Sequence, residues 1–119
     1  MSTLVYLAPL IPPYLTLDFQ KDTFNRWLNK NNITEYRYEK ELSNIDDYQS
    51  LVIYSVAALG DTLQEIIKMI KTLTDKGVKI YAITDPIDFQ NFGNDPEQNM
   101  LLSTCIGYAL YQNKFWKNI

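Results

Sequence analysis

The fold is decided by the stretch LVIYSVAALGDTLQEIIKMIKTLTDKGVKIYAIT, residues 51–84. It opens with LVIYSV, residues 51–56, an unbroken run of apolar and β-branched residues that is typical of a strand buried on both faces. Gly60 breaks this run, and VKIYAIT, residues 78–84, has the same character at the other end. The stretch therefore predicts two buried strands with a connecting segment between them.

The connecting segment carries the start and stop signals of a helix. Thr62 and Glu65 have capping-box spacing, in which the hydroxyl accepts from a free amide and the carboxylate reaches back toward the cap. Gly77 stands where a left-handed C-cap is expected. A crossover helix returns the chain to the same end of the sheet, so the two strands are predicted to be parallel. The apolar residues recur at helical intervals and predict one inner face: Leu63, Ile66, Ile67, Ile70 and Leu73.

The flanking segments extend this unit. Residues 4–8 predict a first strand, and residues 16–31 predict a helix capped by Thr16. Residues 33–42 alternate in part between apolar and charged positions, which predicts an edge strand with one wet face. Residues 85–94 predict a loop, after which Asp95-Pro96-Glu97-Gln98 predicts a last helix running to near Trp116. The predicted fold class is α/β, a three-layer α/β/α domain with a mostly parallel sheet.

Composition excludes several classes of protein. The 119 residues are 46% hydrophobic, which suits one domain, 1–119, with its own core. No stretch is long enough to span a bilayer and no basic segment with a cleavage site opens the chain, so no membrane association and a cytoplasmic location are expected. The net charge of −3 argues against free-standing nucleic-acid binding. With no histidine and one cysteine, no metal and no cofactor are predicted, and Cys105 is expected to be buried and structural.

The last helix is apolar around most of its circumference, which is more than one sheet face can cover. A second subunit is the simplest cover, because interfaces are enriched in aromatic side chains. Closing a ligand pocket is the alternative role for the same residues. The predicted dimer interface consists of Leu101, Tyr108, Tyr111, Phe115 and Trp116.

Residues 58–83, ALGDTLQEIIKMIKTLTDKGVKIYAI, resemble the region around the Arg-Leu-Gly-Arg-Ser motif of serine site-specific recombinases, the resolvase and DNA-invertase family. The N-terminal LVYLA, the loop after it and Gln20 at the opening of a helix resemble the family's first strand and helix. The last helix resembles the start of the family's long dimerisation helix. The resemblance implies a resolvase-like catalytic-domain fold, with four strands in the order 2-1-3-4 and a C-terminal dimerisation helix.

The same resemblance implies a loss of activity. The family's serine attacks a DNA phosphodiester while arginines stabilise the charge on the phosphoryl group. With Gln20 aligned, Ile11 stands at the serine position and Pro9 at that of the preceding arginine. Ala58 and Asp61 stand at the two arginine positions of the central motif.

We therefore expect no catalytic residues and no enzymatic activity. The chain is expected to be a degenerate, non-catalytic dimerisation or regulatory protein linked to site-specific DNA recombination. The partners expected are a second copy or an active serine recombinase, with weak or absent direct DNA binding and no DNA-binding tail.

A second hypothesis is a flavodoxin-like domain, unrelated to recombination, that binds a small ligand or Mg²⁺. Gly60, Asp61 and Thr62 are predicted to lie at a helix N-terminus on the carboxyl edge of the sheet, where Asp85 follows the next strand. The plainer interpretation is a turn and a helix cap, because Asp61 would repel an anion at that N-terminus.

Overall fold

The computed structural model describes residues 2–85, 87–91 and 94–118, and in these residues four parallel strands form one sheet. The strands are β1 (Thr3–Tyr6), β2 (Tyr36–Glu39), β3 (Ser50–Ile53) and β4 (Lys79–Ala82), in the order β2-β1-β3-β4. Val5 of β1 pairs with Tyr38 on one side and with Val52 on the other. The predicted strand order and the edge position of β2 are confirmed.

Helices cover both faces of this sheet. The described α-helices are α1 (Leu17–Lys30), α2 (Leu63–Asp75) and α3 (Pro96–Lys117), with 3₁₀ turns at Ile45–Asp47, Val56–Leu59 and Phe89–Asn91. Helix α1 packs Phe24 and Leu28 on the face that carries Val5 and Val52. Helices α2 and α3 share the opposite face. The predicted three-layer α/β/α class is confirmed.

The strands are shorter than the sequence predicted. β3 ends at Ile53 instead of continuing to residue 56, because Val56 and Ala57 turn into a 3₁₀ helix. Two acceptors stabilise that turn: Asp85 Oδ2 accepts from the Val56 N–H at 2.8 Å, and Ser55 Oγ accepts from the Ala57 N–H at 3.3 Å. Residues 4–8 and 78–84 are likewise strand only over Thr3–Tyr6 and Lys79–Ala82.

The predicted start and end of α2 are confirmed. Thr62 Oγ1 accepts from the Glu65 N–H at 3.2 Å, and Glu65 Oε2 accepts from the Asp61 N–H at 2.8 Å, one residue outside the cap. Gly77 has φ +80°, the left-handed conformation expected of a C-cap glycine. Leu63 is exposed, so the prediction that it lies on the inner face is wrong. It is the first residue of the helix and precedes the turns that pack on the sheet.

Two fully buried residues were not predicted from the sequence to lie in the core. Gln20 is fully buried, and its Nε2 donates to the carbonyl oxygens of Ala8 at 2.8 Å and Leu15 at 3.1 Å, which fixes the loop after β1. Phe89 is also fully buried, in the segment predicted to be an open loop. Residues 86, 92 and 93 of that predicted loop lie outside the described residues.

The start of α3 differs in one detail from the predicted cap. Asp95 Oδ1 accepts from the Glu97 N–H at 3.0 Å, as expected of a helix cap. Gln98 Oε1, however, accepts from the Asp88 N–H at 2.8 Å, which ties the helix to the preceding loop. Among the described helices, none combines the length and apolarity needed to cross a bilayer.

Gly60 lies too close to α2 to tolerate a side chain. A Cβ at this position would stand 2.7 Å from Glu65 Cβ and 3.3 Å from its carbonyl carbon. We expect Gly60→Ala to lower the free energy of unfolding by about 1–3 kcal/mol, because the start of the helix must shift. Urea denaturation measures this change.

The control is Gly107→Ala in the middle of α3, where a Cβ meets no atom within 4 Å. That change is expected to raise the free energy of unfolding by up to about 1 kcal/mol, through helix propensity alone. Equal effects of the two substitutions would contradict the close approach at Gly60.

Candidate functional site

The loops at the carboxyl ends of β1, β3 and β4 enclose a cavity of about 460 Å³, which α3 closes on the fourth side. The first loop contributes Tyr14, the second Tyr54 and Ser55, and the third Thr84 and Asp85. This edge is where open α/β sheets bind ligands, because the connecting loops diverge there. We call this space the Asp85 cavity.

Aromatic rings form much of the wall of the Asp85 cavity. Tyr14 lies edge-on to Trp116 with ring centroids 6.1 Å apart, and Tyr54 lies edge-on to Phe19 at 6.3 Å. Burial raises the pKa of Tyr54, and the neighbouring Tyr14 raises it further. Tyr108 adds a third tyrosine from α3. The wall therefore combines three tyrosine rings with aliphatic and polar residues, and Tyr54 is a neutral hydroxyl at physiological pH.

Asp85 is the one acidic side chain among the described lining residues, and it is partly buried. Its Oδ2 accepts from the Val56 N–H at 2.8 Å, and its Oδ1 lies 3.3 Å from the Thr84 hydroxyl, whose single proton is shared with the Tyr54 carbonyl oxygen at 3.0 Å. Burial raises the pKa of Asp85, while these hydrogen bonds and one from the Cys105 thiol oppose the rise. No lysine or arginine is among the lining residues that are described, so the carboxylate has no cationic neighbour in this cavity.

Cys105 lies in the same wall and is only partly buried, whereas the sequence predicted a buried structural residue. Burial raises the pKa of its thiol, and the charge and hydrogen bond of Asp85 raise it further. The thiol therefore stays protonated and can donate to the carboxylate. This makes Cys105 an unreactive wall residue rather than a nucleophile.

Asn113 also lines the Asp85 cavity and is only 9% exposed. Within the described part of the chain its side-chain amide makes no hydrogen bond to protein, and its polar atoms keep access to solvent. Asn113 was not predicted from the sequence as a site residue. The available signal was spacing, because Asn113 follows Leu102, Ile106 and Ala109 at helical intervals on the buried face of α3.

The four residues predicted to form one ligand edge are divided among three spaces. Asp85 lies in the cavity just described, while Gly60 and Asp61 line a shallow hollow between the loops after β1 and β3. Thr62, with Asp61, lines a third hollow beside Lys114 of α3. The Asp61 amide and the Thr62 hydroxyl are both bonded to Glu65 in the helix cap. Across the described residues, no three side chains of the His, Cys, Asp and Glu types are grouped so as to hold a metal ion.

Three of the residues that the resemblance places at recombinase motif positions line one hollow between the β1 and β3 loops. Pro9, Ala58 and Asp61 line it together with Gly60, and we call it the motif hollow. Ile11 is partly buried and is not among its lining residues. The described lining includes no serine, lysine or arginine. The space therefore offers neither an aliphatic hydroxyl nucleophile nor a cation.

Helix α3 exposes four large apolar side chains on one side. Met100, Tyr108, Tyr111 and Phe115 are 73%, 63%, 67% and 49% exposed, and we call them the α3 stripe. Their spacing of eight, three and four residues places them along one face of the helix. Of the other predicted interface residues, Leu101 is partly buried, and Trp116 is partly buried against Tyr14.

No protein-family model and no curated protein matches this sequence. Among solved structures, the chain is similar to the crystal structure of a resolvase family site-specific recombinase from Streptococcus pneumoniae, with a TM-score of 0.57 and 12% sequence identity. The match covers 98% of this chain and 91% of that one. The overall architecture of the chain is thus a resolvase-like α/β fold.

The raised pKa of Asp85 predicts a pH dependence of stability. The folded state holds the proton to higher pH than the unfolded chain, whose aspartate titrates near the ordinary value of 3.8. The contribution of Asp85 to stability therefore falls as pH rises through the interval above 3.8. Asp85→Asn does not titrate, so the stability of the variant relative to the parent is expected to rise with pH across that interval.

Urea denaturation of the parent and of Asp85→Asn from pH 3.5 to pH 7 measures the difference between their free energies of unfolding. The other carboxylates titrate in both proteins, so their contribution is removed when the difference is taken. If the free energy of unfolding of the variant minus that of the parent stays constant or falls with pH, the raised pKa of Asp85 is contradicted.

Proposed function

We propose that this resolvase-like domain does not cleave DNA and acts by pairing through α3, with a second copy of itself or with an active serine recombinase. Its role would then be regulatory and linked to site-specific recombination. The observation that carries the proposal is the α3 stripe, an exposed apolar face on a helix whose opposite face is already packed on the sheet.

The lack of strand cleavage is supported by the chemistry of the motif hollow. Phosphoryl transfer through a serine needs a hydroxyl nucleophile and cations that stabilise the charge on the phosphoryl oxygens. Pro9 and Ala58 supply neither, and Asp61 adds a negative charge that would repel a phosphate. The two arginines of the chain, Arg26 in α1 and Arg37 in β2, lie on other elements.

Pairing is supported by the length and character of the stripe. From Met100 to Phe115 it extends about 22 Å along the helix, at 1.5 Å per residue. Large exposed apolar faces of this kind mark interaction sites, and tyrosine, phenylalanine and methionine are enriched in interfaces. A two-fold axis through the middle of the stripe would pair the two helices antiparallel, so that each end of the stripe contacts the opposite end of the stripe on the second copy.

Pairing with an active recombinase would produce mixed dimers in which one subunit lacks the cleavage chemistry. Such dimers would lower the concentration of competent enzyme by mass action, without any new catalytic step. The domain would in this way set the rate of recombination through its own abundance.

The first test is the molar mass in solution. The parent chain is expected to be a dimer at micromolar concentration, and the double variant Tyr111→Glu, Phe115→Glu a folded monomer, because two buried carboxylates per subunit would oppose association. Sedimentation velocity over a range of concentrations measures the change.

The control is Leu63→Glu, which places one such carboxylate on an exposed apolar residue at the start of α2, away from the α3 stripe. It is expected to leave the dimer intact. A monomeric parent chain, or a dimer that survives both substitutions in α3, would refute pairing through the stripe.

The second test mixes the chain with an active serine recombinase. The recombination rate is expected to fall as the ratio of this chain to the enzyme rises, and the monomeric double variant is expected to have no effect. Co-purification of the two proteins with an unchanged recombination rate would count against the regulatory role.

A further inference from the structure

We propose that the Asp85 cavity binds a small organic amine, with its ammonium group against Asp85 and its apolar body among Tyr14, Tyr54 and Tyr108. This site is separate from the motif hollow and does not depend on the proposed pairing function. It assigns a use to a cavity and to two polar side chains that pairing through α3 leaves unexplained.

The first argument is charge complementarity. The Asp85 carboxylate is partly buried, and neutral donors alone contact it: the Val56 amide, the Thr84 hydroxyl and the Cys105 thiol. A partly buried carboxylate loses part of its hydration, and a cationic partner can compensate for that loss. The described lining holds no lysine or arginine that could serve as the partner. A cationic ligand would supply the missing charge.

The second argument is the shape and character of the walls. The volume of about 460 Å³ falls within the range of small-molecule sites, which are mostly apolar with a few convergent polar groups. Three tyrosine rings line this cavity, and aromatic faces attract ammonium groups electrostatically. The same rings offer contact area to an apolar ligand body.

The third argument is the Asn113 amide. It is more than nine-tenths buried, it lines the cavity, and in the described residues its side chain has no hydrogen-bond partner. Its polar atoms keep access to solvent, so a ligand can supply a hydrogen-bond partner in place of water. The amide oxygen can accept from an ammonium or hydroxyl group, and the amide nitrogen can donate to a ligand oxygen. Asn113 would therefore orient the ligand opposite Asp85.

The same lining disfavours nucleotides, phosphates and carboxylates. An anion in this cavity would face the Asp85 carboxylate, with no cationic side chain among the described lining residues. We therefore expect the cavity to bind a cation more tightly than a neutral molecule of the same size and shape. It is expected to bind the neutral molecule more tightly than an anion.

Three probes of matched size test this order: 2-phenylethylamine, 2-phenylethanol and phenylacetate. Binding is followed by NMR titration of the Val56 amide signal, because this amide donates directly to Asp85 Oδ2. The amine is expected to shift that signal saturably at millimolar concentration, the alcohol to bind at least about tenfold more weakly, and phenylacetate to cause no shift.

Three substitutions distinguish an ion pair between the amine and Asp85 from contact with the cavity wall in general. Asp85→Asn is expected to weaken amine binding by at least about tenfold while leaving alcohol binding nearly unchanged. Asp61→Asn removes the same charge from the neighbouring motif hollow and is expected to leave amine affinity unchanged. Asn113→Leu, which keeps the size of the side chain, is expected to weaken the binding of both probes severalfold.

Two further variants keep the test decisive if Asp85→Asn does not fold. Tyr14→Leu removes one exposed ring and is expected to weaken the amine more than the alcohol. The monomeric variant Tyr111→Glu, Phe115→Glu alters no lining residue of the cavity and is expected to bind the amine as the parent does, which separates this site from the pairing surface.

The proposal is overturned if phenylacetate binds as well as the amine, or if no probe shifts the Val56 signal at 10 mM, a concentration about tenfold above a millimolar Kd. It is also overturned if a folded Asp85→Asn or Tyr14→Leu variant binds the amine with the affinity of the parent.

Discussion

The burial of β1 and β3 on both faces is the constraint on which the rest of the structure depends. Leu4 and Leu51 point into the layer formed by α2 and α3, while Val5 and Val52 point into the layer formed by α1. All four side chains are fully buried, so neither face of the sheet can be left to solvent. Helices must cover both faces, and the parallel pairing of the strands supplies the long connections from which those helices form.

Parallel strands with helical crossovers also determine where a site can form. All four strands end at one edge, so the loops after β1, β3 and β4 meet there. The hydrogen bond from the Val56 N–H to Asp85 joins two of these loops and turns the chain out of β3. The Asp85 carboxylate therefore stabilises the 3₁₀ turn that follows β3 and also lines the cavity. The motif hollow lies along the same edge, between the loops after β1 and β3, and is lined by proline, alanine and an acid where phosphoryl chemistry would need a hydroxyl and cations.

Helix α3 contributes residues to both surfaces for which a function is proposed, the α3 stripe and the Asp85 cavity. Its buried face carries Leu102 and Ile106 into the core and Asn113 against the Asp85 cavity, its flank carries Cys105 into the same cavity, and its outer side carries the α3 stripe. Tyr108 belongs both to the stripe and to the cavity wall. A helix that is apolar on most sides thus has a different environment on each side: the core, the Asp85 cavity and the exposed α3 stripe.

The sequence by itself determined the order of the elements, the parallel βαβ unit, the caps of α2 at Thr62 and Gly77, and the apolar excess of α3. These features depend on side-chain periodicity and on hydrogen bonds between residues close in the chain, which local patterns encode. Only the tertiary structure decided the composition of the sites. Asp85 meets Val56 across 29 residues of chain, Asn113 meets the wall of a cavity only once α3 is packed, and Asp61 and Asp85 fall into different spaces. Such contacts join residues from separate loops, and their geometry follows from how the sheet and helices pack rather than from any local pattern.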